Sequence, residues 1–344
     1  AIIAMAAALE ALRLRQVTIP SNLKFFFEGE QESASPHLGQ VLRTHRQLLH
    51  SDLWLFCDGG LHPNRQQQLV FGARGFAGLD LTVYGPRREL DGGQYSNWAP
   101  NPAVLLARLL GSMKDEAGKV LIERFYQDVV PLGKAELQSI AQVPNFDATL
   151  KRDLWLAETE GGSRTLAEAL NLPTLNLATV AAGSATGRIP AVAKASLDIH
   201  LVKGMDHRAT TARIIDHIRK HGFHVTETEP GERVRLAHPR VCLVERRPGY
   251  NPVRTPMDLD LSQRVVAAVE EARGPVIKLP TLGVSIPVST VAEVLAAPAI
   301  VVPIANHDGN QHGHNENLRL QNLWDGIEVM AALLALPSPE TSSN

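Results

Sequence analysis

Between Asn306 and Glu316 the chain reads NHDGNQHGHNE, which puts three histidines, one aspartate and one glutamate into eleven residues. Imidazole and carboxylate are the ligands zinc takes where thiolates are absent. A solvated polar loop has the same composition, so its position matters: it follows the apolar run Ile300 to Val302, which reads as a buried strand. A second acidic group comprises Glu28, Glu30 and Glu32, with Gln31 inside it. Close carboxylates repel and persist where a cation offsets them or water screens them. Asp58 is the third feature, ending the apolar run Leu53 to Cys57 and followed by Gly59 and Gly60. Alone, Asp-Gly-Gly is a turn with a permissive backbone. Together, three acid or imidazole groups at strand ends favour a metal site.

The elements that must position these residues follow a regular order. The opening AIIAMAAALEALRLR reads as a core helix, because Arg13 and Arg15 follow its apolar stretch instead of preceding it as in a signal peptide. Asn22 to Glu28 (NLKFFFE) is expected as a buried strand, His37 to His50 as helix, and Leu53 to Cys57 as a second buried strand. Alternating helices and apolar strands imply a parallel sheet covered on both faces. Ligands of such sheets collect beyond the carboxyl ends of the strands. From Gly72 the pattern changes: Phe76 to Tyr84 alternates as a half-buried strand, Pro102 to Met113 is an amphipathic helix, and Ala191 to Val202 a strand. The helix Arg208 to His221 and the strand His224 to Thr228 follow. Helix and strand alternate again after Pro256, through Leu261 to Arg273, Val276 to Leu279, Val288 to Leu295 and Trp324 to Leu336. The expected architecture is therefore an α/β domain, a mostly parallel sheet with helices on both faces, built from residues 1–71 and 253–336. An inserted α+β lid or dimerisation module, residues 72–252, interrupts it, and residues 337–344 form a frayed tail.

Composition narrows the partners. Among 344 residues, 34 Lys and Arg face 36 Asp and Glu, so the net charge of -2 offers no basic excess for a nucleic acid. No apolar run reaches membrane-spanning length. Two cysteines, Cys57 and Cys242, exclude a disulfide framework and make the cytoplasm the default compartment.

Five motifs, in order along the chain, carry a family resemblance. FFFEGEQESASPHL resembles the strand-end motif of the zinc exopeptidases and amidohydrolases that include carnosinase, carboxypeptidase G, aminoacylase and succinyl-diaminopimelate desuccinylase. LWLFCDGG is similar to that family's aspartate strand, and FGARGFAGLDLTVYG to the first strand of its lid. LGVSIPV resembles its GGSIP turn, and HGHNENLR its terminal H-x-x-N-E motif. The resemblance implies a metallopeptidase with two zinc ions, hydrolysing small peptides or N-acyl amino acids and dimerising through its lid. By position, Glu32 and His312 would bind one zinc and Asp58 the other, with substrate contacts from His200 and Ser285.

Several positions depart from that pattern. Gln31 stands where the family places its general base, a glutamate, and an amide cannot accept the proton. Asp91 stands in the lid's His-Ser-Gly, where an anion inverts the electrostatics expected at a developing oxyanion. His200 replaces a usual arginine, Val284 the second glycine of the GGSIP turn, and Ala34 a usual glycine. The family's early H-x-D motif and bridging aspartate lie before the helix at which this sequence starts. The catalytic-type domain is accordingly expected to be incomplete at its start, as in an N-terminally truncated chain, and neither zinc site reaches three protein ligands. Glu30 is a candidate substitute base, although strand alternation would turn it away from Gln31. His307, Asp308 and His314 are candidate extra ligands. The sequence thus predicts a chain with metallopeptidase architecture and weak or no activity, or a non-catalytic member that binds a ligand or partner, or a degraded gene fragment.

Overall fold

The computed structural model describes residues 1–33, 35–183, 187–283, 287–311 and 313–337, without the side chain of Glu32. Nine strands position the candidate site: β1 (Trp54–Phe56), β2 (Gln68–Val70), β3 (Gly75–Tyr84), β4 (Thr174–Ala182), β5 (Val192–Leu201), β6 (His224–Thr226), β7 (Val241–Tyr250), β8 (Ile277–Leu279) and β9 (Ala299–Val301).

One sheet has the order β1-β9-β2-β8. β1 runs parallel to β9, pairing Trp54 with Ala299 and Phe56 with Val301, and β8 runs parallel to β2. The single antiparallel pairing is Val301 with Val70. Alternation along these short strands sends Leu69, Phe71, Ile300 and Val302 to one face and Val70, Ala299 and Val301 to the other. The first face is covered by the helices Ile2–Leu14, Asp260–Arg273 and Leu320–Leu334. Ala4 and Ala8, one turn apart, pack with Val329, Met330 and Leu333. Their methyl side chains let the first and last helices approach closely. The other face is covered by Leu38–Thr44 and Val288–Leu295, where Leu38, Leu42, Val291 and Leu295 meet Trp54 and Phe56. Both faces of the sheet are buried, as the apolar strands require.

The second sheet has the order β4-β5-β3-β7-β6, antiparallel except for the β7–β6 pair. Ala77, Leu79, Leu81 and Val83 of β3 and Ala195, Leu197 and Ile199 of β5 point to one face, under the helices Pro102–Gly111 and His207–Lys220. Asn101 caps the first of these by accepting from the Ala103 N–H at 2.9 Å. Asp206 caps the second, accepting from Arg208 and Ala209. β3 is more deeply buried than its alternation predicts, because it is the central strand and Thr82 and Tyr84 on its other face are covered too. The charge-rich stretch Asp115 to Leu170 forms a bridge between Lys114 and Val120 and the short helices Lys134–Ala141, Asp147–Asp153 and Leu166–Ala169.

One expected strand is corrected. Asn22 to Glu28 pairs with no strand among the described residues, and Phe25 and Phe27 are 41% and 57% exposed. Only Phe26 turns inward, edge-on to Trp54. A ladder needs a neighbour as well as apolar side chains, and no described strand supplies one beyond β1. The helical stretch from His37 is likewise divided, into Leu38–Thr44 and Arg46–Leu49, at His45.

Candidate functional site

The parallel pair β1–β9 brings two of the sequence clusters to one rim. Beyond the strands the contact continues: Val302 N–H donates to the Phe56 carbonyl at 2.7 Å, and Leu61 N–H to the Ala305 carbonyl at 2.7 Å. Asp58, Gly59 and Gly60 therefore lie alongside Ala305, Asn306 and His307. The two glycines have separate reasons. Gly59 has φ +90°, where a side chain is strained. A Cβ on Gly60 would sit 3.1 Å from the His307 Cα, so the histidine loop can approach this closely only because Gly60 has no side chain. Asp58 is half-buried, and its Oδ1 accepts from the Gly59 N–H at 2.7 Å.

The histidine loop is held by its own polar network. Asn306 is buried; its amide donates to Asp308 Oδ1 at 3.0 Å, and its Oδ1 accepts from the Arg319 N–H at 3.0 Å. Arg319 grips Asp308 through both guanidinium nitrogens, which holds that carboxyl well below the usual carboxylate range. Asp308 thereby acts as the anchor of the loop, its charge matched by Arg319. His307 lies 3.9 Å from Asp308, and the His314 carbonyl accepts from the Asn310 amide. His312 lies outside the described residues.

The glutamate cluster is an irregular turn, with Gln31–Ser33 a single turn of 3-10 helix. Glu30 and Gln31 are thus free of strand alternation, but Glu30 is engaged elsewhere. Its carboxylate contacts His37 Nδ1 at 2.9 Å and accepts from the His37 N–H at 3.3 Å. The bond from His37 is the main cause that holds the Glu30 carboxyl below its ordinary range, making it a weaker base. The Glu30 N–H donates to Glu28 at 2.8 Å. Gln31 is half-buried, and the side chain of Glu32 lies outside what is described.

The remaining candidates sit on the second sheet and its flanking hairpin. Asp91 ends the two-residue strand Leu90–Asp91, pairs with Arg188, and caps the short helix Gly92–Tyr95 by accepting from the Gln94 N–H at 3.0 Å. The Asp91 carboxylate is therefore engaged by backbone. His200, on β5, contacts Thr174 Oγ1 at 3.3 Å and meets the Phe76 ring edge-on. Burial, then the nearby Arg74, lowers its pKa, so it is neutral at pH 7 and offers a carboxylate no fixed charge. Ser285, Val284 and Ala34 lie outside the described residues.

Arg74 escaped the motif reading. It is 6% exposed and donates to the carbonyls of Leu170 at 2.8 Å, Ala169 at 3.0 Å and Leu172 at 2.8 Å. It thus clasps the end of Leu166–Ala169 to the junction between the sheets. A lone arginine inside the run FGARGFAG was the available signal. Cys57 packs its Sγ 3.6 Å from Met330 Sδ, and burial pushes its thiol up to about 12, so it supplies neither a thiolate ligand nor a nucleophile.

Among the described residues no three of His, Cys, Asp or Glu converge to hold a metal ion. Asp58 is the one expected ligand whose side chain is described. No described helix is long and apolar enough to cross a membrane.

Comparison with known proteins defines the class. The fold is that of metallopeptidases: an M20 family metallo-carboxypeptidase from Sulfolobus solfataricus superposes with a TM-score of 0.82 at 23% identity, over 97% of this chain and 74% of that one. Human Beta-Ala-His dipeptidase is 21% identical over 343 residues, and the Cys-Gly metallodipeptidase DUG1 of Saccharomyces cerevisiae 24% over 339. The alignments cover 96% and 94% of this chain but 65% and 67% of those proteins, about two thirds of their length. The model of Peptidase family M20/M25/M40 matches residues 1–336, and the chain belongs to that family. Membership implies a metal cofactor and peptide hydrolysis as the family's chemistry.

Proposed function

We propose that this chain has the architecture of a hydrolase of small peptides or N-acyl amino acids, and that its own residues leave it weakly active or inactive. Glu32, Asp58 and His312 are the residues that would approach zinc, Gln31 stands for the general base, and His200 and Ser285 would contact the substrate. The observation that carries the reading is the close approach of Gly60 to His307, which sets Asp58 beside the histidine loop at one sheet rim. Reduced activity is supported from two independent sides. Gln31 is an amide, and Asp91 is committed to a helix cap. Glu30, the nearest alternative base, is engaged by His37.

Residues 72–252 serve as lid and dimerisation module, with residues 1–71 and 253–336 as the catalytic-type domain. Two exposed features support a dimer. β4 is an edge strand (TLNLATVAA) with no charge to deter pairing, and it leaves Leu177 and Val180 43% and 55% exposed. Val104 on the helix Pro102–Gly111 is 46% exposed. A monomer by light scattering at micromolar concentration would count against the dimer. Two free thiols support a cytoplasmic site of action.

The test of the chemistry is hydrolysis of β-Ala-His and Cys-Gly by the chain supplied with zinc or manganese. Turnover close to that of the named dipeptidases would overturn the proposal. The double substitution Gln31→Glu with Asp91→His should raise any residual rate.

A further inference from the structure

We infer that the cavity among the bridge at Lys114, the helix Asp147–Asp153 and the start of β4 is a binding site for a small amphipathic carboxylate, separate from the rim that carries Asp58. The cavity measures about 680 Å³, within the range of small-molecule sites. Its walls are apolar: Leu150, Leu154, Leu156, Leu166, Leu172 and Tyr126 line it. Leu154 and Leu166 remain 64% and 51% exposed, so this surface is not spent on the protein's own core.

The charges at the cavity are unequally committed. Its three carboxylates are occupied by the protein. Asp115 accepts from the Ala117 and Lys119 N–H groups, Asp147 accepts from the Leu166 N–H, and Glu160 pairs with Lys114 at 2.5 Å. Its cations Lys119, Lys151 and Arg164 make no side-chain hydrogen bond or ion pair among the described residues. Glu116 and Glu158 lie in a smaller adjoining pocket that shares Arg164, which leaves Lys119 and Lys151 as the cations of the main cavity alone. The geometry is also fixed: Gly118, at φ +77°, makes room for the Glu160 stem, whose Cγ would lie 2.6 Å from a Cβ there. That close approach seats the 159–162 loop on the 115–120 turn and keeps the mouth in shape. An aromatic or branched hydrocarbon body on the leucines, with its carboxylate toward Lys151, satisfies both halves of the lining.

The test is calorimetric titration of the whole chain with 4-phenylbutyrate, 4-phenyl-1-butanol and 4-phenylbutylamine, without added metal. The expected result is saturable binding of the carboxylate, at least about tenfold weaker binding of the alcohol, and none of the amine. Lys151→Met, which keeps the stem and removes the charge, should weaken the carboxylate about tenfold. Lys220→Met, at an exposed cation elsewhere on the second domain, should leave it unchanged. Failure of 4-phenylbutyrate to bind, equal binding of the alcohol, or preference for the amine would each overturn the assignment, and these comparisons require no variant. Hydrolytic activity and metal content play no part in the outcome.

Discussion

Arg74→Met isolates what a single buried cation contributes at the junction of the two sheets. The guanidinium makes three hydrogen bonds to carbonyls, at 2.8, 3.0 and 2.8 Å, and no carboxylate neutralises it among the described residues. Hydrogen bonds to charged groups are worth about 1.5–3 kcal/mol each, but burying the charge takes back much of that sum. Methionine fills part of the stem volume, so the cavity penalty is small. The Leu170 and Leu172 carbonyls would lose their donor, Leu172 on an exposed residue where water can replace it, while the Ala169 carbonyl keeps the Leu172 N–H at 3.1 Å. The expected net loss is about 3 kcal/mol, read as a lower urea midpoint, with faster proteolytic cleavage between residues 154 and 173. A second readout is specific to charge. Arg74 is one cause of the lowered His200 pKa, so the histidine should titrate at higher pH in the variant, by NMR. A stability within about 0.5 kcal/mol of the parent and an unchanged His200 titration would mean that Arg74 contributes neither the clasp nor the charge.

Leu79→Ala, at a fully buried position in the central strand β3, should cost about 3 kcal/mol by chemical denaturation; a loss under about 1 kcal/mol would mean the second sheet is loosely packed. His217 is held down to about 4 by burial, then by His221 and Lys220, below its unfolded value of 6.5. The unfolded chain therefore binds the extra proton first, and stability should fall as pH drops from 6.5 to 4, a slope that His217→Gln should reduce. Asp308→Asn should release Arg319 and speed amide exchange across residues 306–319, leaving exchange in β3 unchanged.

The rim was legible because it follows from apolar runs and turn residues. LWLFC and the run at Ile300 are too apolar for anything but a buried sheet, and the polar groups after them had to share its edge. The failure at NLKFFFE has the opposite cause: apolar composition predicts burial, but a strand also needs a partner that local sequence does not reveal. β4 and β7 were not read as strands. TLNLATVAA lies exposed at an edge with little alternation, and VCLVERRPGY contains charges, a proline and a glycine that resemble a loop. Roles of engaged side chains were also hidden. The Arg319 contact to Asp308, eleven residues away, and the bond from the Gln94 N–H to Asp91 could not be read from either residue's neighbours in the sequence.

Zinc content is the most direct measure of whether these residues suffice for a metal centre. The chain should be purified with zinc present, dialysed, and analysed for metal per chain. Well under one zinc per chain is expected, together with dipeptide hydrolysis near background. One or more tightly held zinc ions per chain, accompanied by turnover, would contradict it.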